Sequence, residues 1–267
     1  MASAEAAETA RTTGEPPPPA LELNSIHLAY GGLVALGTVD LEVRPGVVTG
    51  LIGPNGAGKT SLFDVATGLT RPSAGRVLLH GRDITRAGPA KRARLGLGRT
   101  FQRLELFRSL TVRENVAVAA EAAHRARFHP QRWQFTESAA PAVVEEQLER
   151  VGLLGVASSR VDTLSTGTAR LVEVARALGS RPTVLLLDEP ASGLDRTESD
   201  RLAEVLLALA ADGLAVLLVE HDVELVMRVC TQLFVLDRGA MLASGSPGVV
   251  RQQSDVREAY LGQMAVS

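Results

Sequence analysis

The sequence of 267 residues has a single cysteine, Cys230, so an intrachain disulfide is excluded. Its apolar neighbours Val226 and Val229 favour a small buried packing residue over a reactive thiol. The sequence also lacks an apolar run near the roughly 18 residues that a membrane span needs, and it lacks the basic start and apolar core of a signal peptide. We therefore expect the chain to stay in the cytoplasm.

A strong excess of one charge is missing as well. The formal net charge is −2 and the basic residues are scattered along the chain, so we expect no nucleic-acid partner. Lysine itself is scarce, because Lys59 and Lys91 are the only two lysines among 28 basic residues. A lysine inside a glycine-rich stretch therefore stands out.

That stretch runs from Gly53 to Ser61 and contains the pattern G-x-x-x-x-G-K-[ST]. Its glycines allow the loop to wind so that successive backbone N–H groups point at one spot, and the helix that follows adds partial positive charge at its N-terminus. The stretch predicts a nucleotide site, with Lys59 at the β- and γ-phosphates and Thr60 at Mg²⁺. A glycine-rich turn without a ligand is the alternative.

Two apolar strands predict further parts of the same site. The strand Thr183–Leu187 delivers Asp188 and Glu189 at its C-terminal end, the edge where open α/β sheets bind ligands. Asp188 can hold Mg²⁺ through water, and Glu189 can orient or deprotonate the water that attacks the γ-phosphate. His221 follows the strand Leu214–Val219 at the same edge and could hydrogen-bond the γ-phosphate, although a surface histidine is an equally good interpretation.

The remaining pattern is typical of an α/β fold. Residues 1–20 are rich in alanine, glutamate and threonine and end in four prolines, so we expect a disordered tail. Extended segments at 21–30 and 38–43 predict antiparallel strands, whereas the continuously apolar strands predict a parallel sheet covered on both faces. Residues 104–161 lose the strand pattern and predict an inserted helical lobe with a polar linker at residues 130–138.

Together these motifs resemble, in content and order, those of ATP-binding-cassette (ABC) ATPases over residues 21–263. The resemblance implies a P-loop NTPase of the α/β class, with a parallel core sheet, an antiparallel β subdomain and an inserted helical subdomain. It divides the chain into a tail at 1–20 and one domain at 21–263, made of a RecA-like core at about 21–103 and 162–245, a helical subdomain at about 104–161 and a C-terminal helix at about 246–263.

The resemblance also implies roles for single residues. Tyr30 matches the aromatic that stacks on adenine, and Gln102 matches the glutamine that contacts Mg²⁺ and the attacking water. Leu164–Thr168 lies where the family has its signature, and it departs from the family at Thr168, where glutamine is usual. The implied catalytic residues are Glu189, His221 and Gln102, the metal contacts are Thr60, Gln102 and Asp188, and the nucleotide contacts are Tyr30, Gly53, Pro54, Asn55, Gly56, Ala57, Gly58, Lys59, Thr60, Ser61, Ser165, Gly167 and Asp195.

In this family two cassettes close around two ATP·Mg²⁺, so the resemblance implies that Ser165 and Gly167 bind the γ-phosphate in the other subunit's site. Asp195, in the loop Ala191–Asp195, would communicate between the two sites. The implied partners are a second ABC ATPase subunit, identical or different, two transmembrane permease subunits and, indirectly, a solute-binding protein. The implied location is the cytoplasmic face of the inner membrane.

Several segments are similar to those of branched-chain amino-acid importer ATPases, among them Arg99–Gln102, Glu220–Asp222 and Asp255–Gly262. The resemblance thus implies import of branched-chain amino acids or related small solutes. Three alternatives stay open: the ATPase of a lipid or lipopolysaccharide exporter, a soluble cassette ATPase that does not act in transport, and a degenerate cassette that binds ATP without hydrolysing it.

Overall fold

The fold is taken from a computed structural model, which describes residues 17–127 and 140–258. Three predictions therefore lie wholly or partly outside the described residues: the tail up to residue 16, the linker at 130–138 and the last residues, 259–263, of the expected C-terminal helix. None of the described helices combines the length and apolarity that are needed to cross a lipid bilayer.

The described strands form two sheets. The antiparallel sheet has the order β2-β1-β4-β5, and the second sheet has the order β10-β9-β3-β8-β7-β6. All neighbours in the second sheet are parallel except β10, which pairs with β9 antiparallel. The strands are β1 (Leu21–Tyr30), β2 (Leu33–Val43), β3 (Val48–Ile52), β4 (Ala74–Leu79), β5 (Arg82–Asp83), β6 (Leu97–Arg99), β7 (Val184–Asp188), β8 (Ala215–Val219), β9 (Gln232–Asp237) and β10 (Ala240–Gly245).

The helices connect and cover these sheets. They are α1 (Lys59–Thr67), α2 (Pro89–Arg94), α3 (Val112–Arg127), α4 (Ala140–Arg150), α5 (Thr166–Leu178), α6 (Arg196–Ala211), α7 (Val223–Val229), α8 (Pro247–Gln252) and α9 (Ser254–Val256). Two short 3₁₀ segments, Leu154–Val156 and Val161–Thr163, lead into α5.

The parallel sheet separates two hydrophobic cores, because successive side chains of a strand point to opposite faces. Leu186 of β7 joins the core that α1 shares with the antiparallel sheet. Leu185 and Leu187 join the other core, which contains side chains of α3 to α7. The expected α/β architecture with a parallel core sheet, an antiparallel sheet and added helices is thereby confirmed.

Both ends of the described domain differ from the sequence-based boundaries. At the start, the carbonyl of Pro17 accepts a hydrogen bond from Arg44, and Ala20 bonds to the backbone of Val43 and His80, so the ordered chain begins before residue 21. Near the end, Gln253 has extended backbone angles and separates α8 from α9. The single helix expected from residue 246 is therefore wrong over the described residues.

Arg92 of α2 joins the end of α1 to the segment that precedes α2. Its side chain is among the largest that are fully buried, and burial lowers the pKa of its guanidinium to about 10. Instead of a carboxylate, it donates to five backbone carbonyls, those of Val65, Ala66, Ile84, Thr85 and Ala87. Val65 and Ala66 lie in the last turn of α1, so this cation binds carbonyls at the negative end of the helix dipole, and the Val65 carbonyl also accepts from the N–H of Gly68 at 3.2 Å.

We expect Arg92→Met to lower the free energy of unfolding by about 3–5 kcal/mol, since buried carbonyls lose their donors. Urea unfolding of the full chain measures the change. The matched control is Arg94→Met, an exposed arginine of the same helix, which should change stability by less than about 0.5 kcal/mol. Equal effects of the two substitutions would contradict the role assigned to Arg92.

Candidate active site

The glycine-rich loop connects β3 to α1, and its glycines serve two different purposes. A Cβ atom on Gly53 would lie 2.1 Å from the carbonyl oxygen of Leu236, and one on Gly58 would lie 2.9 Å from that of Ala35. A Cβ atom on Gly56 would meet nothing within 4 Å, although its φ of 79° still favours glycine. Gly53 and Gly58 therefore allow close packing against β9 and β2, while Gly56 lies next to open space.

Helix α1 begins without a side-chain cap. Its N-cap is Gly58, which has no side chain to accept a hydrogen bond, and its first turn has no acidic residue. The helices α5, α6 and α7 are instead capped by the side chains of Ser165, Asp195 and Asp222. The free N–H groups and partial positive charge at the start of α1 thus form an anion site.

Lys59 lies at the centre of the loop and is largely buried. Its Nζ donates to the carbonyl oxygens of Gly53 at 2.6 Å and Pro54 at 3.0 Å. Burial lowers the pKa of this lysine, and the negative charges of Glu189 and Asp188 act in the opposite direction. The loop thus holds its own cation beside two acidic side chains.

The two acids stand at the carboxyl end of β7. Asp188 is the last residue of the strand, and Glu189 follows with a φ of 46°, a conformation that side-chain-bearing residues rarely adopt. The backbone N–H of Glu189 donates to the carbonyl of Val219 at the end of β8. Burial raises the pKa of Asp188, the negative charge of Glu189 raises it further, and the cations Arg99 and Lys59 oppose this.

The structure brings the three expected catalytic residues together. Gln102 Nε2 donates to Glu189 Oε2 at 3.0 Å. His221 Nδ1 lies 4.0 Å from Glu189 Oε1 and 3.7 Å from Glu220 Oε2, and 60% of its side chain is exposed. A carboxylate, an amide and an imidazole therefore face the same edge of the sheet, close to the glycine loop.

The other expected site residues lie on other elements. Tyr30 ends β1 at the turn to β2 and is half exposed. Ser165 caps α5, and the N–H of Gly167 donates to Glu198 Oε1 of α6 at 3.1 Å. Asp195 caps α6 in a capping box with Glu198. In the described ranges no hydrogen bond or ion pair joins Ser165, Gly167 or Asp195 to the glycine loop, so their roles at a partner's nucleotide stay predictions.

Sequence analysis assigned no role to Glu220, which the structure buries completely between two loops of the site. Its Oε1 accepts from the N–H of Ala191 at 2.7 Å, and its Oε2 accepts from the N–H groups of His221 at 3.1 Å and Asp222 at 3.4 Å. Burial raises the pKa of this carboxyl. The sequence did offer a signal for Glu220, since this acid directly follows the fully apolar strand β8. A buried carboxyl needs hydrogen-bond partners, so its position predicts that nearby backbone N–H groups bind it.

A magnesium ion fits the donors at this edge only if the nucleotide shares in binding it. Over residues 17–127 and 140–258 no three His, Cys, Asp or Glu side chains cluster in a way that could hold a metal. The hard oxygens of Asp188 and Thr60 suit Mg²⁺, which is usually held by one or two carboxylates together with phosphate oxygens. The negative charge that burial disfavours at Asp188 is what such a cation would stabilise.

Comparisons with known proteins place this site in a family. The sequence model of the family described as ABC transporter matches residues 36–192. The chain is 37% identical over 251 residues to the high-affinity branched-chain amino acid transport ATP-binding protein LivG of Escherichia coli K12, covering 92% of this chain and 98% of that protein.

The chain belongs to the ABC transporter family. It is the ATP-binding subunit of an ABC transporter, and it is an ATPase whose ATP hydrolysis is coupled to transport. This cassette is also 34% identical to the lipopolysaccharide export system ATP-binding protein LptB of Acidithiobacillus ferridurans, over 91% of this chain and 96% of that protein. Among solved structures, the ADP conformation of an ATP-binding cassette of an ABC transporter superposes with a TM-score of 0.80 at 30% identity, covering 92% of this chain and 99% of the other.

The raised pKa of Asp188 gives a test of the site's electrostatics. In metal- and nucleotide-free protein, Asp188→Asn should raise the thermal midpoint by about 1–3 °C near neutral pH, because burial and the negative charge of Glu189 disfavour the charged form of the wild-type carboxyl. Ionisation of Asp188 lowers the stability of the wild-type protein as pH rises through the raised pKa of this carboxyl. Below the pKa of the unfolded chain the carboxyl is protonated in both states, so the difference in midpoint between Asp188→Asn and the wild type should vanish toward about pH 4.

Thermal scans at several pH values measure this difference. Asp212→Asn is the control, because Asp212 is exposed and paired with Arg150, and it should give no increase. A lower midpoint of Asp188→Asn near neutral pH would contradict the electrostatic account.

Proposed function

We propose that this cassette powers the import of branched-chain amino acids or related small solutes, with Glu189 as its catalytic carboxylate. The observation that carries the site assignment is the contact between Gln102 and Glu189 beside the uncapped start of α1. The importer assignment is supported by the similarity to LivG over nearly the whole of both chains.

The phosphates of ATP would bind at the start of α1. The loop from Gly53 to Ser61 supplies backbone N–H groups, and the Lys59 ammonium supplies a charge that already lies within the loop. Gly56 borders open space, so a phosphate can approach the backbone there. Tyr30, half exposed at the end of β1, offers a face on which adenine could stack.

Thr60, Gln102 and Asp188 would hold the magnesium ion. When bound, Mg²⁺ would neutralise the negative charge of the phosphates. Asp188 would supply a carboxylate oxygen to the ion, and Thr60 would supply a hydroxyl in the first turn of α1. Gln102 would supply its amide oxygen while its NH₂ group donates to Glu189.

Hydrolysis then depends on the three residues at the carboxyl edge. The Glu189 carboxylate would orient and deprotonate the attacking water, and the bond from Gln102 fixes the direction of that carboxylate. The exposed imidazole of His221 would hydrogen-bond the γ-phosphate, with Glu220 holding its backbone in place. Since phosphoryl transfer needs mainly positioning and charge stabilisation, this geometry supplies what the reaction requires.

A second cassette would complete each site. Ser165 and Gly167, at the start of α5, would bind the γ-phosphate held by the other subunit, and Asp195 would link the two sites. The N–H of Gly167 donates to Glu198 in the single chain, so a phosphate would take the place of one carboxylate oxygen. The second subunit would be an identical chain or a different ABC ATPase.

Two transmembrane permease subunits, and indirectly a solute-binding protein, would be the other partners, with the cassette at the cytoplasmic face of the inner membrane. A cavity of about 240 Å³ lies between the segment 104–108 and the start of α5. Phe107 of that segment is half exposed. A short cytoplasmic helix of a permease docked there would move together with α5 and with the loop that follows β6 and contains Gln102, here called the Gln102 loop.

Substitutions of Glu189 and Lys59 separate hydrolysis from nucleotide binding. Glu189→Gln keeps the shape of the side chain but removes the base, so it should slow ATP turnover by about 10²-fold or more while ATP binds normally and a closed dimer accumulates. Lys59→Ala should instead weaken ATP binding itself. Phosphate release and size-exclusion chromatography with Mg·ATP measure both effects, and parental turnover in Glu189→Gln would remove the catalytic assignment.

The transported solute needs the assembled complex. The cassette, co-purified with its membrane subunits, is reconstituted into vesicles with its solute-binding protein and radiolabelled leucine. ATP on the cassette side should drive leucine transport, and Glu189→Gln in the same complex should abolish it. ATP turnover that responds to lipid or lipopolysaccharide without any leucine transport would favour the exporter, which the similarity to LptB supports as the second candidate.

A further inference from the structure

An ion pair between Arg170 and Glu173 lies inside helix α5, one turn after the signature residues. Arg170 Nη1 and Glu173 Oε2 are 3.1 Å apart, and only 7% and 4% of the two side chains are exposed. Residues at i and i+3 share one face of a helix, so both groups point the same way. Burial of such a pair is unfavourable unless further hydrogen bonds satisfy its remaining atoms.

Those further bonds go to the backbone of the Gln102 loop. Glu173 Oε1 accepts from the N–H of Phe101 at 3.3 Å. Arg170 Nη1 donates to the carbonyl of Phe101 at 3.3 Å, and Arg170 Nη2 donates to the carbonyl of Gln102 at 2.8 Å. Three backbone groups of two neighbouring residues outside any strand or helix are therefore bound by side chains some 70 positions later in the sequence.

The same loop residue is bound to the catalytic carboxylate. Gln102 has its carbonyl on Arg170 and its side-chain amide on Glu189, so a rotation of the loop backbone would displace the amide. Helix α5 starts at Thr166 with Ser165 as its cap, and Arg170 lies on its second turn. A movement of α5 that follows from contact at Ser165 would reach Gln102 through these bonds.

We propose that Arg170 and Glu173 are positioning residues for ATP hydrolysis, which fix the backbone of Phe101 and Gln102 to α5 and so hold the Gln102 side chain at Glu189. The proposal rests on the proposed roles of Gln102 and Ser165. It extends them, because the signature helix and the glutamine loop of one chain then move as one body. Packing alone does not require the charges, because two apolar side chains of similar volume would fill the space of Arg170 and Glu173 but would not bind the backbone of the Gln102 loop.

The test combines Arg170→Met with Gln102→Ala in the full chain. Arg170→Met should lower the turnover number for ATP about 10- to 100-fold, because Gln102 loses its position, while the dissociation constant for Mg·ATP stays within about twofold. In the Gln102→Ala background, Arg170→Met should cause almost no further loss, since both substitutions remove the same contribution. Arg170→Lys, which keeps one donor to the loop, should give an intermediate rate.

Glu173→Gln is the second variant if Arg170→Met does not fold, because it keeps the shape and one acceptor but removes the charge. It should lower turnover in the parent and leave the Gln102→Ala background unchanged. Arg82→Met and Glu204→Gln, exposed side chains on β5 and α6, are the matched controls and should keep the parental rate.

Parental turnover in both Arg170→Met and Glu173→Gln would overturn the proposal, and so would an equal loss in the presence and absence of the Gln102 amide. The single variant Gln102→Ala reports separately on the proposed function, because parental turnover there would remove the role of Gln102 itself. If Arg170→Met lowered turnover while Gln102→Ala kept the parental rate, Arg170 and Glu173 would act through a group other than Gln102, and the proposal would also be overturned.

Discussion

The parallel register around β8 is the constraint on which the site depends. Val219, the last residue of β8, lies opposite Leu51 of β3 and Asp188 of β7. This register ends three strands at one height, so the glycine loop, the Asp188–Glu189 pair and His221 emerge at the same edge. A shift of one residue in either pairing would turn side chains to the opposite face and separate the groups.

The chemistry at that edge is made from charges that the surrounding protein disfavours. Burial lowers the pKa of Lys59 and raises the pKa of Asp188, and Glu189 is held with a positive φ. Each of these features reduces stability in the free cassette, and perturbed charges and strained backbone of this kind cluster at functional sites. The loops that carry them are in turn held by two buried acids, Glu220 and Glu173.

Sequence analysis predicted β7 and β8, which are apolar runs with acidic residues directly after them, and the glycine loop, which has a local pattern of its own. It missed β4, β5, β6, β9 and β10; β4 and β10 are partly exposed, and β5 and β6 have only two and three residues, so the patterns of these four strands are weak. The nucleotide roles that it gave to the glycines of the loop stay predictions, and Gly53 and Gly58 are in addition required by the close approach of backbone atoms of β9 and β2. The loop carbonyls that Arg170 binds and the N–H of Ala191 that Glu220 binds lie far away in the sequence, and no local pattern predicts those contacts.

The order of strands in the parallel sheet also governs how the molecule can fold. Among the described strands, β3, which leads into the glycine loop, is hydrogen-bonded to β8 and β9, and its Val48 pairs with Val216. During synthesis this strand leaves the ribosome long before either neighbour exists. Contacts so distant in sequence close slowly. The apolar residues of β3 therefore stay without their native partners until β8, Ala215–Val219, has been translated, and apolar surface exposed for that time favours aggregation of the growing chain.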